Sequence, residues 1–248
     1  MIRLSVNVNK IATLRNSRGG AVPSVTQAVG ICLDAGAPGI TVHPRADERH
    51  IRPADVADVA GIVRRRSPRR GAIEFNIEGD PRPAFVDLVL AVVPDQCTLV
   101  PVMPGEVTSQ AGWPADAPSG PLGGVVDRLK AAGIRVSLFV DADAAAVRWA
   151  ASMGADRIEL YTEPFARAFE HGEPDRGDRF RRYVAAAELA HELGLGVNAG
   201  HDLDLENLPL FRTLPHLDEV SIGHALVSRA LWVGLDRVVR EYLAVLAV

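Results

Sequence analysis

Histidines and carboxylates cluster at the ends of short apolar runs in this sequence. Four of its seven histidines lie there: His43, His50, His201 and His224. Other polar side chains at such ends are Asn7, Glu78, Asp141, Glu159 and Asp202. Histidine titrates near neutral pH, and removal from water can raise the pKa of a carboxyl group towards neutrality. These residue types therefore predict a site that transfers protons by general acid and general base catalysis.

Each of these residues also has a structural interpretation. A single histidine at a strand end more often makes a structural hydrogen bond than it acts in catalysis, but four that converge favour catalysis. Glu78 is preferred to Glu74 as the functional carboxylate because it lies nearer the strand end. Asp143 is most simply a helix cap, and Asn7 and Asp141 either contact a ligand or orient other side chains.

The apolar runs alternate with helical patterns along the whole chain. Eight of them have strand length: 3–8, 39–43, 72–78, 97–102, 135–143, 157–163, 196–202 and 219–224. Strict alternation of strand and helix predicts a parallel sheet, and eight repeats predict a closed (β/α)8 TIM barrel with its site at the C-terminal strand ends. An open doubly wound sheet is the alternative, but no glycine-rich turn follows the first run. We expect one catalytic domain over residues 1–248.

Local signals mark several helix boundaries. Ser24 and Gln27 form a capping box, Pro53 takes a first helical position, and Asp143 precedes another helical pattern. A final amphipathic stripe runs from Leu235 to Leu246. Two connections, 103–120 and 164–179, are too long for simple turns, and long loops of this kind often cover or bind a ligand.

Composition excludes several classes of protein. The net charge of -4 is spread over interspersed charges, which argues against a nucleic-acid partner. No stretch has the roughly 18 apolar residues of a membrane span, and no leader precedes the first run. Cys32 and Cys97 lie in apolar elements without metal-type spacing and are expected to be reduced. We therefore expect a soluble, cytoplasmic protein.

Two regions have the composition of anion sites. The segments NAGHDL (198–203) and SIGHAL (221–226) each place Gly-His at the end of a late strand, where backbone N–H groups often bind phosphate. Gly200 and Gly223 could instead serve close packing. The loop after the second strand supplies Arg45, Arg49 and His50. Two cationic regions at one end of a barrel suggest two phosphorylated substrates.

Two other chemistries remain open at this point. An aldolase or isomerase acting on one sugar phosphate would need a Schiff-base lysine, and Lys10 is the lysine at a strand end. A non-catalytic barrel that binds a phosphorylated metabolite would need only the anion contacts. We expect no metal, because no paired metal-ligand spacing is present in the sequence.

Six segments resemble the signature segments of the PdxJ family of pyridoxine 5'-phosphate synthases. They are VNVNKIATLRNSRG (6–19), GITVHPRADERHI (39–51), FNIEG (75–79), VSLFVDAD (136–143), VNAGHDL (197–203) and SIGHALV (221–227). The resemblance implies a (β/α)8 barrel with extra helices in the longer loops, a homo-octamer and no cofactor. It also implies ring closure of 1-deoxy-D-xylulose 5-phosphate with 3-amino-2-oxopropyl phosphate to give pyridoxine 5'-phosphate, phosphate and water.

The resemblance also implies roles for individual residues. His43 matches the general base, Glu78 a second acid/base carboxylate, His201 a proton donor and Glu159 a residue that stabilises a transition state. Positions that match contacts to the amino-oxopropyl phosphate are Asn7, Arg18, Asp202, Gly223 and His224. Positions that match contacts to the deoxyxylulose phosphate are Asn9, Lys10, Arg45, His50 and Thr108. Many members have Asp-His in place of Asn9-Lys10 and glycine in place of Asp202.

Overall fold

Eight parallel strands form a closed barrel. The computed structural model describes residues 1–101, 110–172 and 176–247. The strands are β1 (Arg3–Asn7), β2 (Gly39–Val42), β3 (Glu74–Gly79), β4 (Gln96–Leu99), β5 (Arg135–Val140), β6 (Arg157–Tyr161), β7 (Gly196–Gly200) and β8 (Leu217–Ile222). They pair in sequence order, and β8 closes the barrel against β1. The predicted (β/α)8 architecture is confirmed.

Helices surround the barrel and also occupy the longer connections. In the described ranges they are α1 (Asn9–Asn16), α2 (Val25–Asp34), α3 (Pro53–Arg66), α4 (Pro83–Val92), α5 (Ser119–Ala131), α6 (Ala144–Ser152), α7 (Glu163–Glu170), α8 (Arg176–Glu192), α9 (Leu208–Phe211), α10 (His224–Val233) and α11 (Leu235–Leu246). None of the helices in the described ranges is long and apolar enough to cross a membrane.

The strands separate an apolar outer face from a polar interior. Residues such as Leu4 and Val6 are fully buried in the core that packs against the helices. Alternate residues face the barrel axis, because successive side chains of a strand point to opposite faces. On that axis Ser5 hydrogen-bonds Thr41 (2.7 Å between hydroxyl oxygens), and Asn76 Nδ2 donates to Thr41 Oγ1 (3.3 Å). Thr98 Oγ1 lies within hydrogen-bond distance of Asn76 Oδ1 (3.2 Å).

The helix starts follow the local signals in the sequence. Ser24 Oγ accepts a hydrogen bond from Gln27 N (3.2 Å), and Pro53 is the first residue of α3. Asp143 caps α6 by accepting from Ala145 N at 2.8 Å and from the next backbone N–H. These side chains satisfy backbone donors that have no partner within the helix.

Part of the charged connection 164–179 is helical. Helix α7 begins at Glu163, with Pro164 in its first turn, and buries Phe165. The Phe165 ring lies 6.0 Å from Phe169 and 5.2 Å from Phe211, measured between centroids. Apolar residues four positions apart lie on one face of a helix, and this burial stabilises α7 despite its charged neighbours.

A buried ion pair fixes α1 to the start of α3. Arg15 donates to both carboxylate oxygens of Asp55 (2.5 and 2.8 Å) and to the carbonyl of His50 (3.2 Å). Asp55 also accepts from Arg52 N at 2.8 Å. Burial opposes ionisation of Asp55, but these hydrogen bonds outweigh it and lower its pKa. The ion pair therefore holds the loop that carries His50 against α1 and α3.

Replacement of Arg15 by methionine is expected to lower the free energy of unfolding by about 3 kcal/mol, because it leaves the Asp55 carboxylate buried without its cation. Urea unfolding followed by circular dichroism measures this change. Arg240→Met is the matched control, because Arg240 pairs with Asp236 on an exposed helix face and surface pairs contribute little. Equal stability of the two variants would contradict the structural role of Arg15.

Candidate active site

A cavity of about 330 Å³ opens at the C-terminal ends of the strands. Most of the predicted site residues line it: Asn7, Asn9, Lys10, His43, Arg45, His50, Glu78, Glu159, His201, Asp202, Gly223 and His224. They come from distant parts of the sequence, and parallel strands bring them together because their carboxyl ends meet at one face of the barrel.

Amide side chains connect the first three strands below the cavity. Asn7, the last residue of β1, donates from Nδ2 to Glu78 Oε2 (3.4 Å) and accepts at Oδ1 from Asn9 N (3.0 Å). Asn9 in turn accepts from His43 N at Oδ1 (2.9 Å). Asn7 and Asn9 therefore position Glu78 and the backbone of His43.

His43 and Glu78 face each other without forming an ion pair. His43 Nδ1 lies 3.8 Å from Glu78 Oε2, beyond hydrogen-bond distance. Burial raises the pKa of Glu78 to about 8. Burial, followed by the charges of His50, Arg45 and Arg82, lowers the pKa of His43 to about 3. At neutral pH a protonated carboxyl group therefore stands beside an unprotonated imidazole, so the two groups differ as acid and base.

One ring nitrogen of His43 can form a further hydrogen bond. Its Nε2 is buried and has no hydrogen-bond partner among residues 1–101, 110–172 and 176–247. A buried polar atom without a partner is costly, which makes such an atom a candidate contact for a ligand.

Glu159 lines the same cavity. Burial, with the neighbouring Glu78, raises the pKa of Glu159 well above its usual value. Its Oε2 lies 3.3 Å from Thr98 Oγ1. Gly200 on the adjacent strand makes room for it, because a β-carbon at that position would overlap Glu159 Oε1. Close packing thus accounts for Gly200.

The backbone turns sharply after β7. His201 and Asp202 have φ angles of 82° and 57°, in the left-handed region that side-chain-bearing residues rarely adopt. The Thr162 hydroxyl donates to the carbonyl of Gly200 (2.8 Å) and contacts the carbonyl of His201. His201 Nδ1 lies 2.7 Å from Asp202 Oδ2, and the Tyr161 ring packs edge-on, 5.3 Å away between centroids.

Two cationic side chains, Lys10 and Arg45, line the cavity with His50. Lys10 lies in the first turn of α1, and Arg45 is a buried residue of the loop after β2. Burial, then the charges of Arg45 and Lys10, lowers the pKa of His50 to about 4. The positive charges of Lys10 and Arg45 beside this histidine suit an anionic ligand.

Two of the described residues that sequence singled out, Arg18 and Arg49, do not line the cavity. Arg18 is exposed in the turn that follows α1. Arg49 is paired with Asp47, its Nη2 lying 2.5 Å from Asp47 Oδ2 at the surface. Thr108 lies outside the described residues. The long connection 103–120 is described only from residue 110 onwards.

Three cavity residues were not predicted: Val100, Phe139 and Ser221. Ser221 lies within 3.4 Å of Glu78 Oε1 through its hydroxyl, and it occupies an inward position on β8. Its place two residues before Gly223 is a signal in the sequence that could have revealed it. Val100 and Phe139 belong to apolar runs, in which no local pattern distinguishes a residue that faces a cavity.

Gly223 and His224 begin α10 at the cavity. Gly223 is the N-cap of the helix and His224 its first residue. A β-carbon at position 223 would lie 3.1 Å from Asn7 Cβ, so a larger residue would crowd β1. The free N–H groups of a helix start favour an anion in this position.

The fold and these residues define an acid–base enzyme of the (β/α)8 barrel class. The sequence model of the family described as "Pyridoxal phosphate biosynthesis protein PdxJ" matches residues 4–248. The chain belongs to this family, and its substrates are phosphorylated small molecules.

Curated relatives span almost the whole chain. A protein of Bacteroides fragilis (strain YCH46) named pyridoxine 5'-phosphate synthase is 52% identical over 243 residues, covering 98% of each chain. One of the same name from Leptospira biflexa serovar Patoc (strain Patoc 1 / Ames) is 50% identical over 254 residues, covering 100% of this chain and 98% of the relative.

Solved structures with little sequence similarity share the fold. Thiamine phosphate pyrophosphorylase from Pyrococcus furiosus has a TM-score of 0.63 at 13% identity, covering 99% of this chain and 96% of that one. N-(5'-phosphoribosyl)anthranilate isomerase from the same organism has a TM-score of 0.61 at 12% identity, covering 100% and 99%. At these identities the likeness concerns the barrel alone.

Proposed function

We propose that this protein is a pyridoxine 5'-phosphate synthase. It joins 1-deoxy-D-xylulose 5-phosphate to 3-amino-2-oxopropyl phosphate and releases pyridoxine 5'-phosphate, inorganic phosphate and water, a step in the biosynthesis of vitamin B6. The observation that carries the proposal is a single cavity in which His43 and Glu78 have opposite acid and base character. Two regions of the same cavity suit anions: one has cationic side chains, and the other is the start of a helix.

The reaction demands repeated proton transfer. The amine of one substrate attacks the ketone of the other, so the imine needs no protein lysine, and the steps that follow are phosphate loss, enolisation, ring closure and dehydration. The unprotonated His43 accepts protons, and the protonated Glu78 returns them. Substrate phosphates counter the positive charges around His43, so substrate binding increases its affinity for a proton. Glu159 and His201 stabilise and protonate later intermediates.

The two substrates occupy opposite sides of the cavity. The start of α10, with Gly223 and His224, receives the phosphate of the amino-oxopropyl substrate together with Asn7 and the backbone of residue 202. Lys10, Arg45 and His50 receive the deoxyxylulose phosphate, and Asn9 holds the loop beside them. Arg18 and Thr108 are assigned to the two substrates by the resemblance only.

The proposal extends to the state of the protein in the cell. A single catalytic domain over residues 1–248 assembles into a homo-octamer, as the family resemblance implies. The cytoplasm is its compartment, and the two buried cysteines without a disulfide support this assignment. Size-exclusion chromatography with light scattering tests the octamer.

The first experiment mixes the purified protein with both phosphorylated substrates, without added metal or cofactor. Pyridoxine 5'-phosphate is followed by its absorbance, and phosphate by a separate assay. Equal amounts of both products support the proposal. A substrate trapped on Lys10 by borohydride would favour an aldolase or isomerase, and tight binding of one phosphorylated compound without turnover would favour a binding protein.

Replacement of Arg45 by alanine is expected to raise KM for deoxyxylulose phosphate by on the order of 10- to 100-fold, because it removes a charge-assisted contact to the phosphate. Steady-state kinetics with each substrate varied in turn measure the effect. Arg49→Ala is the matched control, because Arg49 pairs with exposed Asp47 and does not line the cavity. A rise confined to the other substrate would reverse the assignment of the two sides.

A further inference from the structure

We propose that Asp202 is a positioning residue for His201, whose Nδ1–H it holds so that Nε2 is the nitrogen that exchanges a proton with the substrate. The catalytic consequence rests on the proposed function. The role is distinct from the backbone contact to substrate phosphate assigned to residue 202 above.

The geometry is that of a short charge-assisted hydrogen bond. His201 Nδ1 and Asp202 Oδ2 are 2.7 Å apart, and both side chains are about a third exposed or less. The hydrogen bond from His201, against the opposing effect of burial, lowers the pKa of Asp202. Asp202 is therefore a carboxylate at neutral pH and can only accept. A carboxylate acceptor at Nδ1 selects the imidazole tautomer that carries its proton there.

The backbone supplies a second observation. Both His201 and Asp202 lie in the left-handed region, where a glycine at 202 would be free of strain. Thr162 holds the carbonyl of His201, and Asn207 Nδ2 donates to the carbonyl of Asp202 (3.2 Å). The surroundings thus fix a strained conformation that brings two adjacent side chains into contact. Strain that persists where the structure over-determines it indicates a functional contact.

Other charged and titratable groups face the pair from three elements. Glu159 and Tyr161 approach from β6, Lys10 from α1 and His224 from α10. Burial, with the neighbouring Glu78, raises the pKa of Glu159 well above its usual value, which disfavours a second carboxylate beside Asp202. A side-chain contact from Asp202 to a substrate phosphate would place two negative groups together, which also favours His201 as its partner.

The test compares three variants of the full-length enzyme. D202N and D202G remove the carboxylate, and D202E preserves it. Because a carboxylate stabilises the imidazolium, the two removals are expected to lower kcat by about 10-fold or more and to move the basic limb of the pH–rate profile to lower pH. D202E is expected to retain part of the activity and the wild-type limb.

The D202G variant separates this role from a structural one. It relieves the strained φ angle, so its melting temperature is expected to equal or exceed that of the wild type while kcat falls. Glu206→Gln is the matched control, because it removes an exposed carboxylate in the same loop and is expected to leave kcat and the pH profile unchanged. Wild-type kcat and pH profiles in both D202N and D202G would overturn the proposal.

A measurement on the substrate-free protein tests the positioning role independently of the proposed function. Nitrogen-15 chemical shifts of the His201 ring report its tautomer in the substrate-free protein. We expect neutral His201 to carry its proton on Nδ1 in the wild type and to lose this preference in D202G. A proton on Nε2 in the wild type would overturn the positioning role, whereas failure to form pyridoxine 5'-phosphate would count against the proposed function alone.

Discussion

Replacement of Glu78 by glutamine is expected to lower turnover by at least about 100-fold, which is the loss that follows removal of a general acid–base group. Glutamine keeps the size of the side chain and can still hydrogen-bond Asn7 and Ser221, which contact the carboxyl group in the wild type. It cannot gain or lose a proton. The measurement is kcat at saturating concentrations of both substrates, with circular dichroism to establish that the fold is retained.

The same strand offers a matched control. Glu74 is also a buried carboxylate of β3, but it pairs with Arg135 (2.5 Å) and does not line the cavity. Glu74→Gln is therefore expected to lower stability and to leave the activity of the folded protein close to that of the wild type. Full activity of Glu78→Gln with native circular dichroism would remove Glu78 from the mechanism.

The pH dependence of stability provides an independent readout for Glu78. Burial raises its pKa from 4.5 to about 8, so the folded protein binds a proton that the unfolded chain has released in this interval. The contribution of this proton to the free energy of unfolding is complete below pH 4.5 and is lost as pH rises through 8. Glu78→Gln cannot ionise, so we expect its stability relative to the wild type to increase as pH rises from 4.5 to 8.

Replacement of His43 by alanine is expected to lower turnover by a similar factor, at least about 100-fold, because it removes the group that accepts protons. Exogenous imidazole is expected to restore part of the activity, since the deletion leaves space in the cavity. The measurement is kcat with and without imidazole. His171→Ala is the control, because His171 is exposed at the end of α7 and lies outside the cavity. Full activity without imidazole would exclude His43 as the base.

The parallel arrangement of strands explains why much of the site could be predicted. His43 directly follows β2, and His201 directly follows β7, so the pattern of apolar runs was enough to place both at one end of the barrel. The direction of a loop side chain is not encoded in that pattern. Arg49 illustrates this limit, because a local ion pair with Asp47 holds it at the surface.

Side-chain contacts between different elements were beyond prediction for the same reason. The alternatives for Gly200 could be decided only when β6 and β7 were seen side by side, with Glu159 in the space that a β-carbon would fill. Helix α7 was missed because charged residues dominate its segment, and its stability comes from aromatic partners such as Phe211, far away in the sequence.

The polar axis of the barrel has a consequence for how this protein can change over evolution. Thr41, Asn76 and Thr98 are fully buried and hydrogen-bonded across three neighbouring strands, and Thr98 also reaches Glu159. An apolar substitution of one member leaves its neighbours within the set with unsatisfied polar atoms, whereas a joint exchange removes only the hydrogen bonds that the set makes to Ser5 and Glu159. We therefore expect these three positions to change together in related sequences, by simultaneous rather than single substitutions.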